Sequence, residues 1–263
     1  MKKWSTFYGQ NAVDAKVADY QGWSGILAGC VPDARDLAIA TATMGYTATA
    51  RFSGWNVNGK VLPWAMSGQC TIAAWRETHA VLQACVQPGD SVIIGNSGHG
   101  GQYNTSEVNG GHTLCFFDGL FRDTQQYELT RAWPEGVNVL YVFDSCHSGG
   151  LDRHAARAPI RAAPYFVKPR GPTEGTVGPP SQVLANVVEF CACRAAETAE
   201  DGPQNGAFTG SLLAVWDQAQ AKGTKLTFHD WIDATVELMA GNFAQHPTVN
   251  LLGGGTTMLN TLI

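Results

Sequence analysis

Charge is scarce in this chain of 263 residues: Asp, Glu, Lys and Arg make up 15% of it, against 44% hydrophobic residues. There is no basic run and no stripe of Lys/Arg interleaved with aromatics, and the formal net charge is −5. A nucleic-acid binder that works by neutralising phosphates is therefore excluded. No apolar run reaches membrane-spanning length. The opening Met1-Lys2-Lys3-Trp4-Ser5-Thr6-Phe7 lacks the long apolar stretch of an export signal. The expectation is a chain with no membrane partner, placed in the cytoplasm. The seven cysteines are odd in number and irregular in spacing, which suits reduced thiols. Cys191-Ala192-Cys193 has the wrong spacing for a zinc hook and reads as two small side chains on one face of a strand. Gly-x-Ser-x-Gly elbows, Walker loops and internal repeats are also missing.

What is there is a regular alternation of apolar β-rich runs with helical patterns. Strands are expected at Trp4–Gly9, Ser91–Asn96, Val137–Phe143, Asn186–Cys191 and Thr248–Leu252. Helices are expected at Pro32–Ala42, where proline lies near the start, acids fill the first turn and Gly45 ends the run, and at Thr71–Val86, closed by Pro88-Gly89. Further helices are expected at Thr124–Trp133, Phe208–Lys222 and Phe228–Gly241. Strands alternating with helices indicate an α/β fold with a mostly parallel sheet. The Gly/Asn-rich stretch Gly100–Gly111 reads as a loop, and Arg51–Cys70 as a surface excursion.

Two strand tips carry reactive groups. Val139–Phe143 runs into Asp144-Ser145-Cys146-His147-Ser148-Gly149-Gly150, and Val92-Ile93-Ile94-Gly95-Asn96 runs into Ser97-Gly98-His99-Gly100-Gly101. Either a lone Cys or a lone His is ordinarily a packing residue. Together, beyond the carboxyl ends of strands in one parallel sheet, they stand where such sheets bind ligands. A free thiol, pKa ~8.5, is mostly protonated at neutral pH. A neighbouring imidazole can stabilise its thiolate or take its proton, and later protonate a leaving amine. The backbone N–H groups of Gly100 and Cys146 are the candidate donors to a developing oxyanion. Six residues separate Cys146 from Arg153, one too many for the phosphate-wrapping loop of tyrosine phosphatases.

These residues resemble the caspase-like cysteine peptidases, in particular the bacterial metacaspase (orthocaspase) branch. Ser97-Gly98-His99-Gly100 is similar to that family's histidine motif, and Asp144-Ser145-Cys146-His147-Ser148-Gly149 to its cysteine motif. Leu27-Ala28-Gly29-Cys30-Val31-Pro32-Asp33-Ala34 is similar to the segment after its first strand. Cys193-Arg194, Glu197-Thr198-Ala199 and Gly206-Ala207-Phe208-Thr209 are similar to its small-subunit segment. The resemblance implies a caspase-like three-layer α/β/α sandwich and a Cys146–His99 dyad. It further implies hydrolysis of protein or peptide substrates after Arg or Lys, by a monomer. It also implies an S1 pocket lined by Cys30, Asp33, Ser97 and Asp144, in which two carboxylates would accept a basic side chain and reject an acidic one. Asp33 has an alternative reading as a first-turn acid that complements its helix dipole.

Two departures stand out. Ala195 replaces the aspartate that often follows the Cys-Arg pair. The acidic cluster of calcium-activated relatives is thinned to Asp118, Asp123 and Asp152, which leaves Ca2+ open but unsupported. The chain is expected to be one domain, 1–263. Residues 1–154 resemble a large subunit, 155–181 form a linker, and 182–263 resemble a small subunit. The linker is rich in proline and carries Arg157, Arg161, Lys168 and Arg170. It is a surface insertion or, given the implied specificity, a segment the enzyme cuts in itself. A caspase-like binding or regulatory module and an amidase on the same scaffold are the alternative functions.

Overall fold

The computed structural model of the protein describes residues 1–53, 65–66, 68–103, 111–146, 148, 156–157, 183–242 and 244–263. The centre is an eight-stranded sheet. Its strands are β1 (Lys3–Gln10), β2 (Thr47–Ser53), β3 (Ala65–Met66), β4 (Ser91–Ser97), β8 (Asn138–Asp144), β9 (Ala156–Arg157), β10 (Asn186–Cys191) and β11 (Thr248–Gly253), in the order β3-β2-β1-β4-β8-β10-β11-β9. Pairing is parallel from β3 through β10; β11 pairs antiparallel with β10 on one side and β9 on the other. A second, antiparallel sheet is formed by β5 (Gly100–Tyr103), β6 (Gly111–Phe116) and β7 (Gly119–Arg122).

The inner strands are apolar on both faces because both faces are covered. Along β8, Leu140 and Val142 face one core with α1 (Cys30–Thr43), α4 (Ala207–Lys222), α5 (Phe228–Leu238) and α6 (Gly255–Leu259). Val139, Tyr141 and Phe143 face the other, with α2 (Ile72–Cys85), α3 (Asp123–Arg131) and the small sheet. Trp231 anchors the first core and Trp75 the second, each fully buried. Burying rings of this size contributes several kcal/mol apiece, ~3–5 by truncation to Ala. The helix starts follow local chemistry: Thr71 accepts from Ala74 N at 3.1 Å, and Thr227 with Asp230 closes a capping box.

The three-layer α/β/α sandwich and the mostly parallel sheet agree with the sequence reading. Three expectations need correction. Within the Gly100–Gly111 loop, β5 and the first residue of β6 are strand. Arg51–Ser53 is sheet and Cys70 is fully buried, so the ends of the supposed surface excursion are structural. Within the linker, Ala156–Arg157 pairs with Leu251 and Asn250 as an edge strand. Arg161, Lys168, Arg170 and Asp152 lie outside the described residues. After β1 the chain crosses to β2 on one side, while β4 lies on the other. The order therefore switches between β1 and β4, and ligand crevices open at such a point.

Candidate functional site

β4 and β8 are paired in parallel, and their last register pair is Ser97 with Asp144. His99 and Cys146 each lie two residues further on. Equal overhang from matched strand ends is what brings the two motifs to one place. Gly98 N donates to Asp144 O at 3.1 Å and ties the tips together. Gly100 then passes so close to the nucleophile-like turn that a Cβ on it would stand 1.9 Å from Cys146 O, so only glycine fits. The backbones of Gly100 and Cys146, the two candidate oxyanion donors, are in direct contact.

Cys146 is partly exposed, and its Sγ accepts from Ala199 N at 3.4 Å. His99 Nε2 meets Gly25 O at 3.2 Å, which makes Nε2 the protonated nitrogen and leaves the Nδ1 lone pair free in the neutral ring. The Trp23 ring packs against the imidazole, centroids 4.5 Å apart. Burial pulls the His99 pKa below its usual value, with the Gly25 carbonyl and the Asp201 charge acting in the opposite direction. A neutral imidazole at neutral pH is the form that can accept a proton.

Behind the tips, on the α1 side of the sheet, lies a pair of buried acids. Ser97 Oγ donates to Asp33 Oδ2 at 2.6 Å and Gly206 N to Asp33 Oδ1 at 3.0 Å. Asp144 Oδ2 accepts from Thr209 Oγ1 at 2.7 Å and Thr209 N at 3.1 Å. Asp33 is 1% exposed and Asp144 6%. Burial raises both carboxyl pKa values; for Asp33 the Asp144 charge adds to it, and Asp144 is pushed up to about 6. Cys30 is buried beside Ser97, and burial lifts its thiol far above the ordinary value, so it stays protonated. All four residues named from sequence for this pocket are thus brought together.

Sequence reasoning missed the partners. Gly25 and Trp23 lie in a loop with no motif. Ala199 and Asp201 belong to a loop held by Glu197, which accepts from Arg194 N, His246 N and His246 Nδ1. Asp201 accepts from Ala28 N and Gly29 N, both at 2.8 Å, joining that loop to the start of α1. The signals for this loop were the Cys193-Arg194, Glu197-Thr198-Ala199 and Gly206–Thr209 segments, which gave no contacts. Ala195, where an acid was expected, uses its carbonyl to accept from Gln102 Nε2 at 2.9 Å. The calcium candidates have structural occupations: Asp118 Oδ1 accepts from Ile72 N, and buried Asp123 accepts from His112 N and Thr124 N. Among the described residues no three His, Cys, Asp or Glu side chains converge as a metal site. No helix among them is long and apolar enough to cross a membrane.

Comparison with known proteins bears on family and fold. A family model described as the caspase domain matches residues 16–252. Metacaspase-2 of Arabidopsis thaliana is 28% identical over 217 residues, covering 76% of this chain and 49% of that protein. Metacaspase-1 of Yarrowia lipolytica is 21% identical over 223 residues, with 65% and 48% covered. The chain thus spans about half the length of these two curated relatives. Among solved structures, a Geobacter sulfurreducens protein superimposes with a TM-score of 0.74 at 26% identity, covering 99% of this chain and 97% of that one. Caspase-1 from Spodoptera frugiperda shares the fold, with a TM-score of 0.56 at 14% identity over 99% and 88% of the two chains.

Proposed function

The chain belongs to the caspase-domain family, and from that premise we propose that it is a cysteine endopeptidase cutting after Arg or Lys. The observation that carries the reading is the matched overhang of Cys146 and His99 beside two buried carboxylates. His99 takes the thiol proton on Nδ1, its other nitrogen being held by the Gly25 carbonyl. Sγ attacks the scissile carbonyl, and the N–H groups of Gly100 and Cys146 receive the oxyanion. The protonated imidazole then delivers its proton to the leaving amine, and water hydrolyses the thioester. The P1 side chain lies at this acid pair, its charge balanced by Asp33 and Asp144; an acidic side chain there would face two carboxylates. The enzyme works as a monomer and cuts its own 155–181 linker at basic residues.

The test uses three fluorogenic peptides that differ only at P1: Arg, Lys and Asp. Turnover of the first two, abolished in Cys146→Ala and His99→Ala, is expected. Turnover of the Asp peptide alone would refute the pocket assignment, and no turnover of any would favour a binding module or an amidase.

A further inference from the structure

Trp23 is 47% exposed and Ile26 80% exposed, while most of the large apolar side chains among the described residues are buried. Their loop is not slack. Trp23 N donates to Tyr20 O at 2.8 Å, Val13 N to Ser24 O at 3.0 Å and Leu27 N to Asn11 O at 2.9 Å. Asp201 holds its far end through Ala28 N. The backbone therefore displays both side chains from one braced loop, and the Trp23 ring adjoins the imidazole. The indole and imidazole centroids are 4.5 Å apart. Gly25 has φ +54, and a Cβ on it would stand 3.0 Å from both His99 Cδ2 and Trp23 Cη2. A glycine here lets the two rings close on each other.

We propose that Trp23 and Ile26 form an apolar subsite for the substrate residue that follows the cut bond, giving the enzyme a preference for a large apolar P1′ side chain. The inference rests on the peptidase reading. In that reaction the imidazole must reach the leaving amine, so the residue bearing that amine passes along the ring. The P1 side chain is taken up by the acid pair, leaving the half-exposed indole beside His99 for the residue on the other side of the bond. Residues 21–28 carry no charged side chain. The nearest charge at the loop's end is Asp201, which disfavours an acidic leaving residue.

The experiment measures kcat/KM on two internally quenched peptides, identical except for Leu or Gly after the P1 Arg. The wild type should prefer Leu by about tenfold, the scale of selectivity in an apolar pocket. Trp23→Ala and Ile26→Ser should each shrink the Leu/Gly ratio towards one, and Trp23→Phe should restore most of it. A wild-type ratio of one would overturn the subsite while leaving the peptidase reading intact. So would equal losses on both peptides in Trp23→Ala with Ile26→Ser unchanged, because the indole would then only brace the imidazole. Failure of the wild type to cut either peptide would overturn the peptidase reading and the subsite with it.

Discussion

Asp33 and Asp144 are ionisable groups packed where water barely reaches, and both protonate more readily than a free carboxyl. A carboxyl whose folded pKa is raised binds its proton more tightly folded than unfolded. Its ionisation therefore costs stability above the folded value and nothing below the unfolded one. Asp144→Asn should raise Tm at pH 8 and leave it nearly unchanged at pH 4, a gain of up to about 3 kcal/mol given a shift to about 6. The same variant should lose cleavage after Arg, a trade of stability for function. For the wild type, Asp144 gains its proton as pH falls through about 6, and burial holds His99 below its usual value. KM for a P1-Arg peptide should therefore rise as pH falls through that range; a KM that stays constant across it would contradict the assignment.

Among the elements, the loop after β10 has the most demanding task, placing Ala199 N on the sulfur. Burial pushes the Glu197 carboxyl up, but the N–H groups of Arg194 and His246 and the His246 ring outweigh it and hold it below the ordinary value. Glu197→Ala should cost ~1–3 kcal/mol in chemical denaturation, because it strands several donors, and should reduce kcat/KM severalfold. Glu197-Thr198-Ala199 stood out by the family resemblance, but the contacts this loop makes were not legible in the sequence. The strands carrying His99 and Cys146 were, since apolar runs ending in Gly- and Ser-rich turns have few other readings. The small sheet was not, because its first strand, Gly100–Tyr103, contains glycines that normally punctuate loops; its pairing with β6 overrides that local preference. β2, Thr47-Ala48-Thr49-Ala50-Arg51-Phe52-Ser53, escaped notice because small residues blur its period; it is recruited by β1. The Gly25–His99 and Asp201–Gly29 bonds join residues far apart in sequence, which no local pattern encodes.

For the molecule as a whole, the acid pair is held from both sides of the linker. Asp33 and Asp144 precede it, and the Gly206 and Thr209 groups they accept from follow it. β8 and β10 meet in parallel register from Asn138–Asn186 to Phe143–Cys191. Under the proposed activity, purified wild type should show two fragments on a denaturing gel and one species by size exclusion, and Cys146→Ala should show one intact chain; equal nicking of both would reject self-processing. Arg157 is paired with Asn250 in β9, so cuts should appear after Arg161, Lys168 or Arg170 before any after Arg157, as mass spectrometry of the fragments would reveal.

The support of one acid pair by distant stretches of chain also sets a schedule for biosynthesis. While the polypeptide is still leaving the ribosome, Cys146 and His99 emerge well before Gly206 and Thr209. In that interval the thiol exists without the groups that hold Asp33 and Asp144. Under the proposed activity, a chain made only as far as the linker is thereby kept from cutting after basic residues.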